Sequence, residues 1–317
     1  MSLNLHLVRL FTAVADAGGV AAAARARRIS QPAISRAIRE LERQLGVDLF
    51  ERSTRRVRLT TEGAEIYRHA KEVFSAERAI EDAVAELKGV RRGTLRIGAS
   101  TTIATYVLPE LIAEFARQYP EIELRLSAVH TRILVEMLRR YELDVALAEA
   151  PVNDDAITVT PWRVDEMVVI AGRGHRLAKR KSIAPSELSD ELFLLREPES
   201  GTRSIVVAAL ENARIRVRRS LSIDGTEVIK QVVAEGLGIA MVSRFAIADQ
   251  LAVGKLVELQ VKGLRVRRPF NRLALRSRRP SAAASAFYAL IEKQIGAERK
   301  DDREGTPRGR VRDRKTS

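Results

Sequence analysis

Gln31, Ser35, Arg36 and Arg39 are spaced so that, with Pro32, they share one side of a helix, opposite the apolar stripe Ile34, Ile38, Leu41 and Leu45. These are side chains that can distinguish base edges in a major groove: Gln pairs with adenine, Arg with guanine, and a Ser hydroxyl serves a base or a phosphate. A basic run follows at Arg52, Thr54, Arg55 and Arg56. Alone, such a run reads as a solvated loop. Directly after a helix of that character, the segment from Asp48 to Thr60 reads as a hairpin whose basic tip flanks the groove.

A second group of candidates lies at strand-to-helix junctions in the rest of the chain: Ser100, Thr101 and Thr102; Ser200, Thr202 and Arg203; and Thr226. Hydroxyls and amides at such junctions can hold an anion beyond the carboxyl ends of the strands. Each junction reads equally well as a plain helix cap. Glu149 ends another strand and would repel an anion unless it meets a hydroxyl, an amine or Arg203, while His130 at a strand end is either a pocket donor or a structural residue.

Other chemistries are argued against by what the chain lacks. It has no cysteine, so disulfides, thiolate ligands and thiol redox sensing are excluded. Its four histidines show no metal-ligand spacing, and no phosphate loop, Gly-x-Ser-x-Gly elbow or nucleophile–base pair is present; neither an enzyme nor a cofactor is expected. No apolar run approaches the ~18 residues of a membrane span and the N-terminus lacks a leader pattern, so the expected location is cytoplasmic. The formal net charge of +14 favours a polyanionic partner. Residues 1–60 hold 11 Lys and Arg against 5 Asp and Glu, beside the candidate reading face.

The elements that must position these residues follow from periodicity. An amphipathic helix with Leu7, Leu10, Phe11 and Val14 closes near Gly18-Gly19, an alanine-rich helix follows from about Val20 to Ala26, and the reading helix runs from about Gln31 to Leu45, with Ser30 offering a side-chain cap and Pro32 in its first turn. From Glu62 to Lys88, Ile66, Ala70, Val73, Ile80, Val84 and Leu87 keep an alternating 4-3 spacing that Glu77 breaks once, a stripe that asks for a partner helix. Beyond it come a strand at 94–99, a helix at 103–118, a strand at 123–129, a helix at 132–140 and a strand at 143–147; then strands at 167–171 and 192–195, a helix at 201–213, a strand at 219–223, a helix at 226–235 and a strand at 239–242. Alternation of this kind implies two α/β subdomains with parallel strands. The chain is expected to return through 270–276 and close with a helix at 282–294, leaving a charged, disordered tail at 297–317.

The stretch from Leu10-Phe11 to Gly63, with Ser30-Gln31-Pro32-Ala33-Ile34-Ser35, Leu45-Gly46, Leu49-Phe50-Glu51-Arg52 and Leu59-Thr60-Thr61-Glu62-Gly63, resembles the LysR-type transcription regulators. Two positions depart from the family pattern: Gly19 stands where a capping serine is usual and Arg27 where a buried leucine is usual, both weakening the second helix. The resemblance implies an N-terminal all-α winged helix-turn-helix over residues 1–61, a long linker and dimerisation helix over 62–90, and a C-terminal α/β periplasmic-binding-protein-like effector domain over 91–296. That domain would comprise two Rossmann-like subdomains, I at 91–163 and 268–296 and II at 164–267, with the ligand between them.

Glu199-Ser200-Gly201-Thr202-Arg203 and the run from Val228 to Ile239 resemble the branch that regulates sulfur assimilation and carbon dioxide fixation. That implies a small-molecule effector, a small anion or a phosphorylated or carboxylated metabolite. The implied partners are double-stranded promoter DNA, a second copy in a dimer, a tetramer as a dimer of dimers, and RNA polymerase, with no membrane. The alternative is an architectural DNA-binding protein that ignores ligands.

Overall fold

The computed structural model describes residues 3–51, 57–87 and 93–303, which fall into two compact units. In the N-terminal unit, α1 (Leu5–Ala17) ends on Gly18 in the left-handed conformation, α2 (Val20–Arg27) follows, and α3 (Gln31–Leu45) has the bounds read from its stripe. Phe11, Val14, Ile34, Ile38, Leu41 and Leu49 form the core, each large side chain contributing about 1.5–3 kcal/mol on burial. Gly19 precedes α2 without a side-chain cap, and Arg27 is exposed at its end, where its guanidinium escapes the core. Ser30 holds the N-cap position of α3, but contrary to expectation its hydroxyl caps nothing; the backbone amides of Ala33 and Ile34 bond instead to its carbonyl oxygen.

The arms of the expected hairpin pair where they are described: Phe50 opposes Leu59, and the amide of Glu51 donates to the carbonyl of Arg58 at 2.9 Å. The helix α4 (Thr61–Leu87) then packs its first turns on the head. Asp16 of α1 accepts from Lys71 at 2.9 Å and from the Tyr67 hydroxyl, and Arg9 pairs with Glu77. The 4-3 stripe divides accordingly: Ile66 and Ala70 join the head core, while Val73, Ile80 and Val84 are exposed.

The second unit is built on one hydrogen-bonded sheet: β1 (Gly93–Ala99), β2 (Ile122–Ala128), β3 (Val145–Ala148), β4 (Ile157–Gly172), β5 (Leu192–Arg196), β6 (Arg219–Ile223), β7 (Ile239–Ser243), β8 (Leu256–Leu259) and β9 (Val266–Leu275). The order is β2-β1-β3-β9-β4-β7-β5-β6, with β8 also on β4. Each end is a parallel α/β half: β2, β1 and β3 in one, β7, β5 and β6 in the other. They are joined by β4 and β9, an antiparallel pair that runs through both halves and slips register at Trp162.

The helices are α5 (Thr101–Tyr106), α6 (Leu108–Gln118) and α7 (Thr131–Arg139) in the first half, α8 (Gly201–Asn212), α9 (Thr226–Ala234) and α10 (Ala248–Ala252) in the second, and α11 (Ala282–Arg303) returning to the first.

Three expectations change. The single helix expected at 103–118 is two, because Pro109 has no amide to continue the ladder and Val107, still in the right-handed region at ψ −42°, is drawn out to φ −116°. The strand expected at 167–171 is the far end of the 16-residue β4. The expected tail at 297–317 begins as helix, since α11 continues to Arg303; the remainder of the tail lies outside the described residues.

The join between head and helix is tight at Gly63, where a Cβ would stand 2.1 Å from the carbonyl oxygen of Leu49. Gly63→Ala should therefore lower stability to denaturant by about 2 kcal/mol or more, the scale of overpacking against backbone, and should weaken DNA binding with it. An unchanged unfolding midpoint would show that the join gives way without cost.

Candidate functional site

On α3 the side opposite the buried stripe carries Gln31, Pro32, Arg36 and Arg39 exposed and Ser35 half-buried. Arg39 donates from Nε to the Ser35 carbonyl at 3.3 Å, which draws its guanidinium toward the N-terminal part of the helix. Behind this face, Glu42 accepts the Leu49 amide at 2.9 Å and so fixes the start of the hairpin to α3. Arg52, Thr54, Arg55 and Arg56 lie outside the described residues.

The other candidates gather where the two halves of the sheet meet. β1 and β3 are parallel neighbours with Ala99 beside Leu147, so Ser100 and Glu149 lie just beyond the carboxyl ends of adjacent strands. The Ser100 amide donates to the Leu147 carbonyl at 2.9 Å, Thr102 is buried in the first turn of α5, and Thr101 beside it is half-buried. From the opposite half comes the start of α8, with Ser200 and Thr202 both buried. The approach is so close that a Cβ on Gly201 would stand 2.6 Å from that of Ala150.

At the centre is a residue the sequence reading did not select. Arg268 of β9, 3% exposed, donates from Nε to Asp165 Oδ2 at 2.8 Å and from Nη1 to Thr202 Oγ1 at 2.9 Å. The Thr202 hydroxyl in turn donates to Glu149 Oε1 at 3.4 Å, while the Arg268 guanidinium stands 3.8 Å from that carboxylate. Asp165 also accepts from the Ser243 hydroxyl at 2.8 Å. Burial pushes both acids upward, opposed chiefly by Arg268 and, for Glu149, by Thr102 as well. Three buried polar atoms here have no protein partner: Ser100 Oγ, Glu149 Oε2 and Arg268 Nη2.

Of the alternatives read for Glu149, the hydroxyl is met by Thr202, and the guanidinium beside it is Arg268 and not Arg203, which bonds to the Arg196 carbonyl at 2.6 Å and to the Ser222 hydroxyl at 3.3 Å, fastening β5 to β6. Thr226 is likewise engaged, its hydroxyl accepting from buried Arg196 at 2.8 Å. Arg196 also grips Glu197, which, despite the opposing effect of burial, is held down to about 2 by that grip and by backbone amides. His130 faces Glu197 across the junction at 3.8 Å.

A second bridge between the halves runs from Tyr106 of α5 to Glu227 of α9, which also accepts from buried Lys230 at 2.7 Å; Lys230 lies 4.8 Å from the centre of the Tyr106 ring. No His, Asp or Glu cluster suited to a metal occurs among the described residues, and no single described helix is long and apolar enough to cross a membrane.

Comparison with known proteins agrees with both units. Residues 5–64 match the family described as "Bacterial regulatory helix-turn-helix protein, lysR family", and residues 88–296 match "LysR substrate binding domain". The chain is 34% identical to the RuBisCO operon transcriptional regulator of Allochromatium vinosum, over 92% of this chain and 96% of that one. Among solved structures, a full-length OxyR variant from Pseudomonas aeruginosa superposes with TM-score 0.73 at 25% identity, covering 93% of this chain and 95% of that one. The regulatory domain of Synechocystis CcmR in complex with 2-PG superposes with TM-score 0.60 at 28% identity, over 64% of this chain and 98% of that one.

Because burial raises Glu149 above its ordinary 4.5, its ionisation weakens the folded state as pH rises through the folded value. Glu149→Gln removes that titration. The stability of this variant relative to the wild type should therefore increase between pH 5 and pH 8, measured by urea unfolding of the full chain; a difference that stays flat or falls with pH would contradict the assignment.

Proposed function

From the premise that the chain belongs to the LysR family of bacterial transcription regulators, we propose how it does its work: α3 reads promoter DNA, and a small-molecule effector bound where the two halves of the sheet meet decides the outcome. The observation that carries the effector part is the buried Arg268 cluster. It ties strands and helices of both halves together and still leaves three polar atoms without protein partners. Buried polar groups in folded proteins are paired, so three such atoms gathered at one junction call for a partner from outside the chain, and a bound effector supplies one. The effector is a small anion or a phosphorylated or carboxylated metabolite, held by Ser100, Thr102, Thr202 and Arg268, with Thr101, Ser200 and His130 at the margin. The CcmR regulatory domain, solved in complex with 2-PG, supports a small-molecule effector for this domain.

For DNA, Gln31, Ser35, Arg36 and Arg39 contact bases in the major groove, Pro32 shapes the start of the helix, and Arg52, Thr54, Arg55 and Arg56 contact the backbone. The exposed stripe Val73, Ile80 and Val84 pairs α4 with a second copy, and two such dimers form the tetramer. Effector binding changes the closure of the halves, shifts the packing of the dimers and alters the bend imposed on the promoter, with RNA polymerase as the downstream contact in the cytoplasm. The ligand must bind one arrangement better than the other for this to occur. No catalytic step is assigned to any residue.

Two measurements test the reading. Arg36→Ala should cost about 1–3 kcal/mol on the specific site and relax base preference; equal losses on specific and random DNA would refute base reading. Footprint and bend angle should differ with and without a bound effector, and identical values would leave the cluster without a regulatory role.

A further inference from the structure

The three unpartnered atoms at the junction are not alike, and their difference bears on the effector's chemistry. Arg268 Nη2 can only donate, Ser100 Oγ can donate or accept, and an ionised Glu149 Oε2 can only accept. Asp165 is not available to the ligand in the same way, since its two oxygens already accept from Ser243 and from Arg268 Nε at 2.8 Å each. Arg268 Nη1 gives one hydrogen to Thr202 at 2.9 Å and stands 3.8 Å from Glu149 Oε1, and Thr202 spends its own hydrogen on that same oxygen. What remains is a donor, a hydroxyl and a carboxylate oxygen, the last two at the ends of neighbouring parallel strands.

Charge points the same way. The buried cluster holds two carboxylates, Glu149 and Asp165, against the one guanidinium of Arg268. A bare oxyanion such as sulfate offers acceptors only, and would set one of them against Glu149 Oε2 whenever that carboxylate is ionised. Burial pushes Glu149 upward by desolvating its charged form, and a donor on the ligand would offset that cost where an oxyanion would add to it. A ligand that also carries a donor satisfies all three atoms at once.

Resting on the reading of this junction as the effector site, we propose that the effector is an organic anion with a hydrogen-bond donor, a hydroxyl or an ammonium, beside its anionic group, and that Glu149 is the residue that recognises that donor. The anionic group takes Arg268 Nη2 and Ser100 Oγ; the donor takes Glu149 Oε2. Sites built to bond a hydroxyl or amine reject the analogue lacking it, because the buried acceptor is then left unpaired. Glu149 thus makes the junction selective against inorganic oxyanions and against plain dicarboxylates.

Calorimetric titration of the full-length protein with two matched sets tests this. Succinate, malate and aspartate differ at one carbon by hydrogen, hydroxyl and ammonium, and so do 3-phosphonooxypropanoate, 3-phosphoglycerate and O-phosphoserine; sulfate serves as the bare anion. In at least one set the hydroxyl or amino member should bind at least tenfold more tightly than the hydrogen member, and which of the two leads tells hydroxyl from ammonium. Thr202→Val should weaken that binding, and Glu149→Met should bring the members of the set to within about threefold of one another. The wild-type ratios stand even if Glu149→Met fails to fold.

Equal or tighter binding of the hydrogen member, or of sulfate, overturns the role of Glu149 and leaves the effector site in place. If no compound binds to protein that still recognises its DNA, the effector reading falls and this proposal with it.

Discussion

One guanidinium holds the C-terminal unit in its present arrangement. Arg268 lies on β9 opposite Asp165 of β4, in the ladder that carries the chain between the halves, and it reaches across to Thr202 and Glu149. Taking three charged groups out of water costs several kcal/mol for each, and an apolar trio of similar volume would often stabilise the fold as well or better. Stability alone does not account for the cluster. Its polar groups instead specify which strand and helix ends meet at the junction, and leave that meeting sensitive to whatever enters it.

The arithmetic of switching fits such a cluster. Moving a two-state equilibrium from 1:99 to 99:1 requires a ligand to favour one state by about 5.5 kcal/mol. Hydrogen bonds involving a charged partner contribute about 1.5–3 kcal/mol each, so two or three contacts made at the unpartnered atoms in one arrangement only would supply the difference. They would act against a second tie, the Tyr106–Glu227–Lys230 bridge, which also spans the halves but is satisfied within the protein. In the proposed mechanism the complete bridge is the fixed side of the junction and the incomplete one the side that responds.

How much of this the sequence disclosed depended on the range of the interactions. Local pattern sufficed for α3, whose stripe gave both ends, and for most of the strands and helices in each half, though β8, α10 and the first part of β4 went unread. It also placed Ser100, Thr102, Ser200 and Thr202 at the junctions they occupy. The break at Val107 was misread because Pro109 tolerates the first turn of a new helix as well as it ends an old one. Arg268 and Asp165 were invisible for a stronger reason: each sits among other charged residues, Arg267 and Arg268 on one strand and Asp165 and Glu166 on the other, and only the pairing register decides which faces inward. Arg203 drew attention by standing next to Thr202, but successive residues on a helix point in different directions, and it turned to the strand ends.

The N-terminal unit shows the same division of labour in a smaller space. The helix α4 meets the head through Gly63 against the Leu49 carbonyl, through Tyr67 and Lys71 on Asp16, and through Glu77 on Arg9, so nearly five of its turns are fastened to the head. At about 5.4 Å per turn, the apolar stripe exposed from Val73 to Val84 begins while that contact persists and runs on beyond it. A partner helix seated on that stripe would therefore set the separation and tilt of two reading helices directly, with no flexible segment between the pairing face and the DNA face. In that arrangement, small changes in how such pairs pack against one another would be passed through α4 to the reading helices and so to the path of the DNA they hold.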